Sequence, residues 1–208
     1  MEIKFIILII TSFKKRNFMA EEKSKKLRLF IGSCVEFPIV EKDNIAKLCE
    51  HFPCPIKFIE KPNIHLTWKF IGEIEAEKLD EVQNIIEEII EKKFDILINF
   101  KKFEIWPSEK RPSLLVLIGK DLNGSATKLH QKLDKKLEKL KITREKRNFL
   151  PHITVARFKL KQRPVEKFII PEWLLFDEIN VKFSKLSIFQ CTSTEKGSIY
   201  TPLKSFDI

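Results

Sequence analysis

From residue 27 onward the chain shifts repeatedly between period-two and helical spacing of its apolar residues. Leu27 to Val35 reads as a strand that stops at a turn signal near Pro38. Ile39 to Glu50 reads as a short helix, and Pro53, Pro55 and Pro62 punctuate the loop after it. Ile64 to Ile71 is a β-rich strand. Glu75 to Lys92 carries Leu79, Val82, Ile85, Ile86, Ile89 and Ile90 on one helical face. Phe94 to Trp106 predicts a long strand or hairpin arm, and Pro112 to Gly119 another strand. Asn123 to Leu140 predicts an amphipathic helix with a Leu129, Leu133, Leu137, Leu140 stripe, capped by Ser125 or Asn123. Three more strands follow: Ile153 to Leu160, Ile179 to Gln190, and Ser198 to Phe206, the last returning as a hairpin through Glu195–Gly197.

This order repeats. Strand, helix, strand runs from Leu27–Gly32 to His65-Leu66-Thr67, and again from Leu114–Gly119 to His152-Ile153-Thr154. Gly32 precedes His65, and Gly119 precedes His152, by the same 33 residues. Two lobes about a pseudo-twofold axis would bring the two histidine strands together, and a lobe interface is a common place for a ligand cleft.

Composition narrows the class. The chain has 208 residues, 43% hydrophobic and 33% charged, which suits one domain or two small lobes that share a core. Lys and Arg exceed Asp and Glu by 10, so an anionic partner such as nucleic acid or phosphate is favoured. Cys34, Cys49, Cys54 and Cys191 have irregular spacing, which argues against a disulfide scaffold and for a reduced, cytoplasmic protein. Cys49, His51 and Cys54 cluster, but a zinc site needs a fourth ligand, and buried thiols are the simpler reading. The apolar run Phe5 to Ile10 falls far below the ~20 residues that span a bilayer. Residues 1–26 are therefore read as an N-terminal extension, with Met19 as an alternative start, ahead of one bilobal domain over 27–208.

Both H-x-T triplets make chemical sense on a strand. Residues i and i+2 share a face, so each histidine and threonine would project together while Leu66 or Ile153 faces the core. An imidazole exchanges protons near neutral pH, and a hydroxyl donates to a phosphate oxygen. Two copies around one anion suit acid–base chemistry at phosphorus without a metal. One neutral ring would deprotonate water and the other, protonated, would serve the leaving oxygen. The residues alone leave open which ring is which. His130 and His51 lack a partner motif and read as structural.

The stretches Asn63-Ile-His-Leu-Thr-Trp-Lys-Phe-Ile-Gly-Glu73 and Phe149-Leu-Pro-His-Ile-Thr-Val-Ala-Arg-Phe158 resemble the two signatures of the 2H phosphoesterase superfamily. The match is strongest to its RNA 2′,3′-cyclic phosphodiesterase branch, also called the 2′-5′ RNA ligase family, whose first strand Arg28-Leu-Phe-Ile31 resembles. The resemblance covers about residues 27–206. It implies a bilobal α+β fold, with antiparallel sheets flanking a basic cleft and helices outside. It implies hydrolysis of a terminal 2′,3′-cyclic phosphate to a 2′-phosphomonoester, with RNA 3′ ends or nucleoside 2′,3′-cyclic phosphates as partners. It implies no metal or organic cofactor, and the chain is expected to be a monomer without membrane attachment. Carried over, His65 is the proton donor, His152 the acceptor, and Thr67 and Thr154 bind phosphate. Arg157 would be a further phosphate or RNA contact, although its odd offset from Thr154 puts it on the opposite strand face unless a bulge intervenes. Trp68 stands where many relatives carry Leu and is offset to the core face.

Basic residues at Lys101, Lys102, Lys110 and Arg111, and at Lys141, Arg144, Lys146 and Arg147, offer contacts to backbone phosphates, and Phe149 offers a stacking surface for an end base. Two other readings compete: a 2H enzyme acting on a small cyclic nucleotide, and a non-catalytic RNA-binding module of the same fold. Intact histidine and threonine in both triplets argue against the latter.

Overall fold

The computed structural model describes residues 25–35, 42–161, 166–174, 177–195 and 197–208. The expected extension over 1–26 falls mostly outside them. Lys25 and Lys26 belong to the folded body, because Lys25 accepts a backbone bond from Ala76 and Lys26 starts the first strand.

Among the described residues, nine strands and three helices follow one another. They are β1 (Lys26–Cys34), α1 (Lys42–His51), β2 (Ile56–Phe58), β3 (His65–Glu75), α2 (Leu79–Ile90), β4 (Ile96–Ser108), β5 (Arg111–Asp121), α3 (Ser125–Leu137), β6 (His152–Phe158), β7 (Ile179–Phe183), β8 (Lys185–Thr194) and β9 (Gly197–Asp207). The strands form one antiparallel sheet in the order β7-β4-β5-β6-β3-β1-β8-β9, with β2 beside β6. The two halves, β7-β4-β5-β6 and β3-β1-β8-β9, meet through a single residue pair, Leu66 with Ile153. This is the α+β, two-lobed arrangement that the duplication predicts.

Amphipathic helices cover one face. Val82, Ile86 and Ile89 of α2 and Ala126, Leu129, Leu133 and Leu137 of α3 are buried at helical spacing, and α3 packs on α2, β3, β4 and β5. The start of α3 is held by strand-end groups. The Asp121 carboxylate accepts the Gly124 and Thr127 amides, and the Asn123 side chain accepts that of Ser125. Gly124 precedes the helix at φ +76°, a backbone region that favours glycine.

Two expectations change. Ile179 to Gln190 is not one strand. It divides at Ser184, so that β7 pairs with β4 in one half while β8 pairs with β1 in the other. The apolar positions change phase at the break, from Ile179, Val181 and Phe183 to Leu186 and Ile188 across Ser184-Lys185, a shift that a reading as one strand passes over. The paired glycines also do not match in register. Gly32 lies opposite Thr67, whereas Gly119 bonds to Pro151, just before His152. Val116, not Gly119, is the counterpart of Gly32, because it lies opposite Thr154. Each glycine has its own packing reason: a Cβ on Gly32 would meet the Leu66 carbonyl at 2.9 Å, and one on Gly119 would meet Ile98 at 2.6 Å.

Candidate active site

The pairing of Leu66 with Ile153 sets the site. Both residues are fully buried, so their strand neighbours project to the opposite, open face. Extending that antiparallel register puts His65 opposite Thr154 and Thr67 opposite His152. Two imidazoles and two hydroxyls thus occupy the corners of a square, with the imidazoles on one diagonal. Diagonal neighbours on a sheet face sit about 7–8 Å apart, a span that one phosphate fills.

The two strands repeat each other in detail. His65 to Ile71 and His152 to Phe158 have the same burial sequence: half-buried, buried, half-buried, buried, buried, exposed, buried. Both rings are oriented by the same contact. His65 Nδ1 lies 2.7 Å from the Asn63 carbonyl oxygen, and His152 Nδ1 lies 2.9 Å from that of Leu150. A carbonyl only accepts, so each Nδ1 carries the proton and each Nε2 is left to exchange protons with a ligand. Because the partner is backbone two residues upstream, no side-chain pattern in the sequence announces it.

Burial holds both imidazoles below the usual histidine range. At His65 the Asn63 carbonyl opposes this, while the charges of His152 and Arg157 reinforce it. At His152 the Leu150 carbonyl opposes it, and the Arg147 charge reinforces it. Each ring therefore senses an arginine charge, and His65 also senses its counterpart.

A β-bulge explains Arg157. Thr154 pairs with Val116 and Ala156 with Leu115, so Val155 is an extra residue in β6. The bulge returns Arg157 to the face of His152 and Thr154, where it is exposed and where its charge reaches His65. The opposite face expected from the bare offset does not apply. In β3 the same shift leaves Trp68 unpaired between Thr67 and Lys69. Trp68 enters the core as expected, donating from Nε1 to Ser33 Oγ at 2.7 Å, and Phe70 takes the position equivalent to Arg157, 67% exposed.

Aromatic walls flank the square. The Phe30 and Tyr200 rings lie 4.6 and 5.0 Å from that of His65, and Phe189 stacks on Phe30 at 5.0 Å. On the other half Trp106 lies 4.5 Å from His152. These residues are distant in sequence, so only the fold assembles them. Lys57 of β2 lies directly opposite Arg157.

Phe149 does not supply the stacking surface expected of it. Its ring is stacked on His130 at 4.7 Å and on Trp68 at 5.7 Å, part of the packing beneath the site. His130 is buried, its Nδ1 donating to the Trp68 carbonyl, and His51 contacts the Ile169 carbonyl through Nε2. Among the described residues no group of three His, Cys, Asp or Glu side chains converges as a metal site would, and no helix is long and apolar enough to cross a membrane. Of the basic residues, Lys102 pairs with Glu104 on the open face at 2.6 Å, and Arg144 reaches Asp134 and Glu138 behind it.

Sheet order and the mirrored H-x-T strands together define a duplicated two-histidine architecture. A family model described as LigT-like phosphoesterase matches residues 37–116, a span that includes the first triplet. An RNA 2′,3′-cyclic phosphodiesterase of Methanocaldococcus jannaschii is 32% identical over 188 residues, covering 86% of this chain and all of that one. One from Aquifex aeolicus is 27% identical, covering 88% of this chain and 97% of its own. The crystal structure of Escherichia coli LigT complexed with 3′-AMP superposes with a TM-score of 0.65 at 19% identity, over 88% of this chain and 99% of that one. The chain belongs to the LigT-like phosphoesterase family of the 2H superfamily.

Proposed function

We propose that the protein hydrolyses the terminal 2′,3′-cyclic phosphate of RNA to a 2′-phosphomonoester by acid–base catalysis between His65 and His152, with no metal ion. One observation carries this reading: the square of two imidazoles and two hydroxyls, in which each ring has Nδ1 tied to a carbonyl and Nε2 turned over to chemistry. The names of the curated relatives support the substrate.

In the forward step His152 Nε2 takes a proton from water as the water oxygen bonds to phosphorus. The bond from phosphorus to O3′ breaks, and His65, protonated at Nε2, gives its proton to that oxygen. A 3′-hydroxyl and a 2′-phosphate result, and solvent returns both rings to their starting states. Thr67 and Thr154 donate to the non-bridging oxygens, where charge builds, and Arg157 adds a positive field. Burial suits His152 to its role, since a base must be neutral before it acts. The phosphate anion restores the proton that His65 needs.

The test is an RNA oligonucleotide ending in a 2′,3′-cyclic phosphate, incubated in EDTA, with the product phosphate located by NMR. Turnover to the 2′-phosphate is expected. His65→Ala and His152→Ala should each lower kcat by about 10²–10⁴ while binding persists. Loss of activity in EDTA, or retention of it in either variant, contradicts the mechanism.

A further inference from the structure

The segment between α3 and β6 is exposed and strongly basic, yet it is fixed at several points. Lys69, which follows Thr67 by two residues and is only 4% exposed, bonds to Asp134 Oδ1 of α3 and, at 2.6 Å, to the Thr143 carbonyl. The Glu145 amide donates to the same Asp134 oxygen at 3.0 Å. Phe149 is sandwiched against His130 and Trp68, and the Pro151 carbonyl accepts the Gly119 amide. A buried ion pair at the root of the first triplet thus positions the loop that leads into the second.

Arg147 is what this loop presents. Glu145 Oε1 accepts from Arg147 Nε at 3.2 Å and Oε2 from Nη2 at 3.1 Å, with the Lys146 and Arg147 amides also on Oε1. Arg147 holds the Glu145 carboxyl down to about 2, so the clamp stays ionised across the working pH range. The pair is exposed, 84% at the arginine, and pairs of that kind add little to stability. What the clamp does is orient. With Nε and one Nη2 proton committed, the outer edge of the guanidinium, both Nη1 protons and the second on Nη2, faces away from Glu145 with the bidentate geometry that phosphate accepts. Arg147 is also the cation whose charge reaches His152.

The geometry points to Arg147 as the receptor for the next backbone phosphate of the substrate, the one joining the terminal nucleotide to its neighbour. It makes the enzyme select RNA strands over single cyclic nucleotides. The cyclic phosphate fills the square itself, and Arg157 faces that square. Arg147 is on neither of the two histidine strands: it lies on the anchored loop five residues before His152, 84% exposed, with its charge reaching that ring. This inference rests on the RNA reading above and deepens it.

The experiment compares a trinucleotide ending in a 2′,3′-cyclic phosphate with a nucleoside 2′,3′-cyclic phosphate, for the wild type, Arg147→Gln and Arg147→Lys. Wild type should prefer the trinucleotide. Arg147→Gln should lower kcat/KM for the trinucleotide at least tenfold more than for the mononucleotide, and flatten the salt dependence by about 0.7 in log–log slope. Arg147→Lys should restore the salt slope but not the full rate, because a point charge replaces a fork. Equal losses on both substrates would place Arg147 on the cyclic phosphate and overturn the inference, as would no loss on either. If wild type cleaves the mononucleotide alone, the RNA reading falls and takes this inference with it. Circular dichroism and the retained mononucleotide rate show that the variants are folded.

Discussion

At the scale of single residues, the proposed chemistry turns on two protons. Both imidazoles titrate below their ordinary value because the folded protein buries them. In free enzyme the base is thus ready well into mildly acidic pH, while the acid loses its proton early as pH rises. The kcat/KM profile should be a bell with its maximum on the acid side of about pH 6.5, the ordinary imidazole value. In the complex the phosphate anion holds a proton on His65, so the alkaline limb of kcat should lie higher than that of kcat/KM. Steady-state kinetics between pH 4.5 and 9 checks both, and a flat profile would contradict the pairing. Stability follows the same sign. A ring with a lowered pKa favours the unfolded chain when protonated, so its contribution is complete above the unfolded value and is lost as pH falls below it. The histidines and threonines were legible because strand alternation fixes i and i+2 on one face. Arg157 was named only through the resemblance, since a one-residue bulge at Val155 reverses parity and no local pattern encodes it. The carbonyls of Asn63 and Leu150 were invisible for a simpler reason: every residue has one.

Among elements, the most consequential joint is the Lys69–Asp134 pair between β3 and α3. Asp134 stays ionised even though burial opposes it, because Lys69, the Glu145 amide and Arg144 all bind its charged form. Its folded-state titration is thus depressed, and the stability it supplies is present above the unfolded carboxyl value and lost as pH falls through the folded one. Lys69→Met leaves the buried Asp134 carboxylate only the longer contact to exposed Arg144 and should cost about 3 kcal/mol, while Lys69→Met with Asp134→Leu should recover most of it. Denaturant unfolding of the single and double variants measures this; a cost under 1 kcal/mol for the single change would mean that water reaches the pair. Helices α2 and α3 could be read from their stripes, although β3 absorbs the first residue expected of α2 and a short 3-10 turn, Ala76–Lys78, precedes it. The three-residue strand β2 could not be read, because it is too short to show a period and lies among prolines. The division at Ser184 did leave a trace, because the apolar positions change phase between Phe183 and Leu186, where the chain passes from one half of the sheet to the other.

Taken whole, the molecule is a duplication whose halves are alike where they meet and different farther out. The two inner strands share their burial sequence, their bulge and their ring contacts, but one half carries exposed Phe70 where the other carries exposed Arg157. At this one position the halves differ, charge on one side and an aromatic ring on the other, while aromatic rings flank both histidines. Sequence disclosed the duplication through its triplets, while the equal glycine spacing was a coincidence of loop lengths. The narrowness of the joint has one more implication. The two halves share one residue pair in the sheet ladder and are tied behind it by α3, so on the open face an anion seated between the imidazoles would act as a structural rivet as well as a guest. Inorganic phosphate or a 2′-nucleotide product should accordingly raise the melting temperature in proportion to the logarithm of its concentration, and His65→Ala should blunt the rise. Calorimetry would show it, and an unchanged transition at saturating product would mean that the halves need no such fastening.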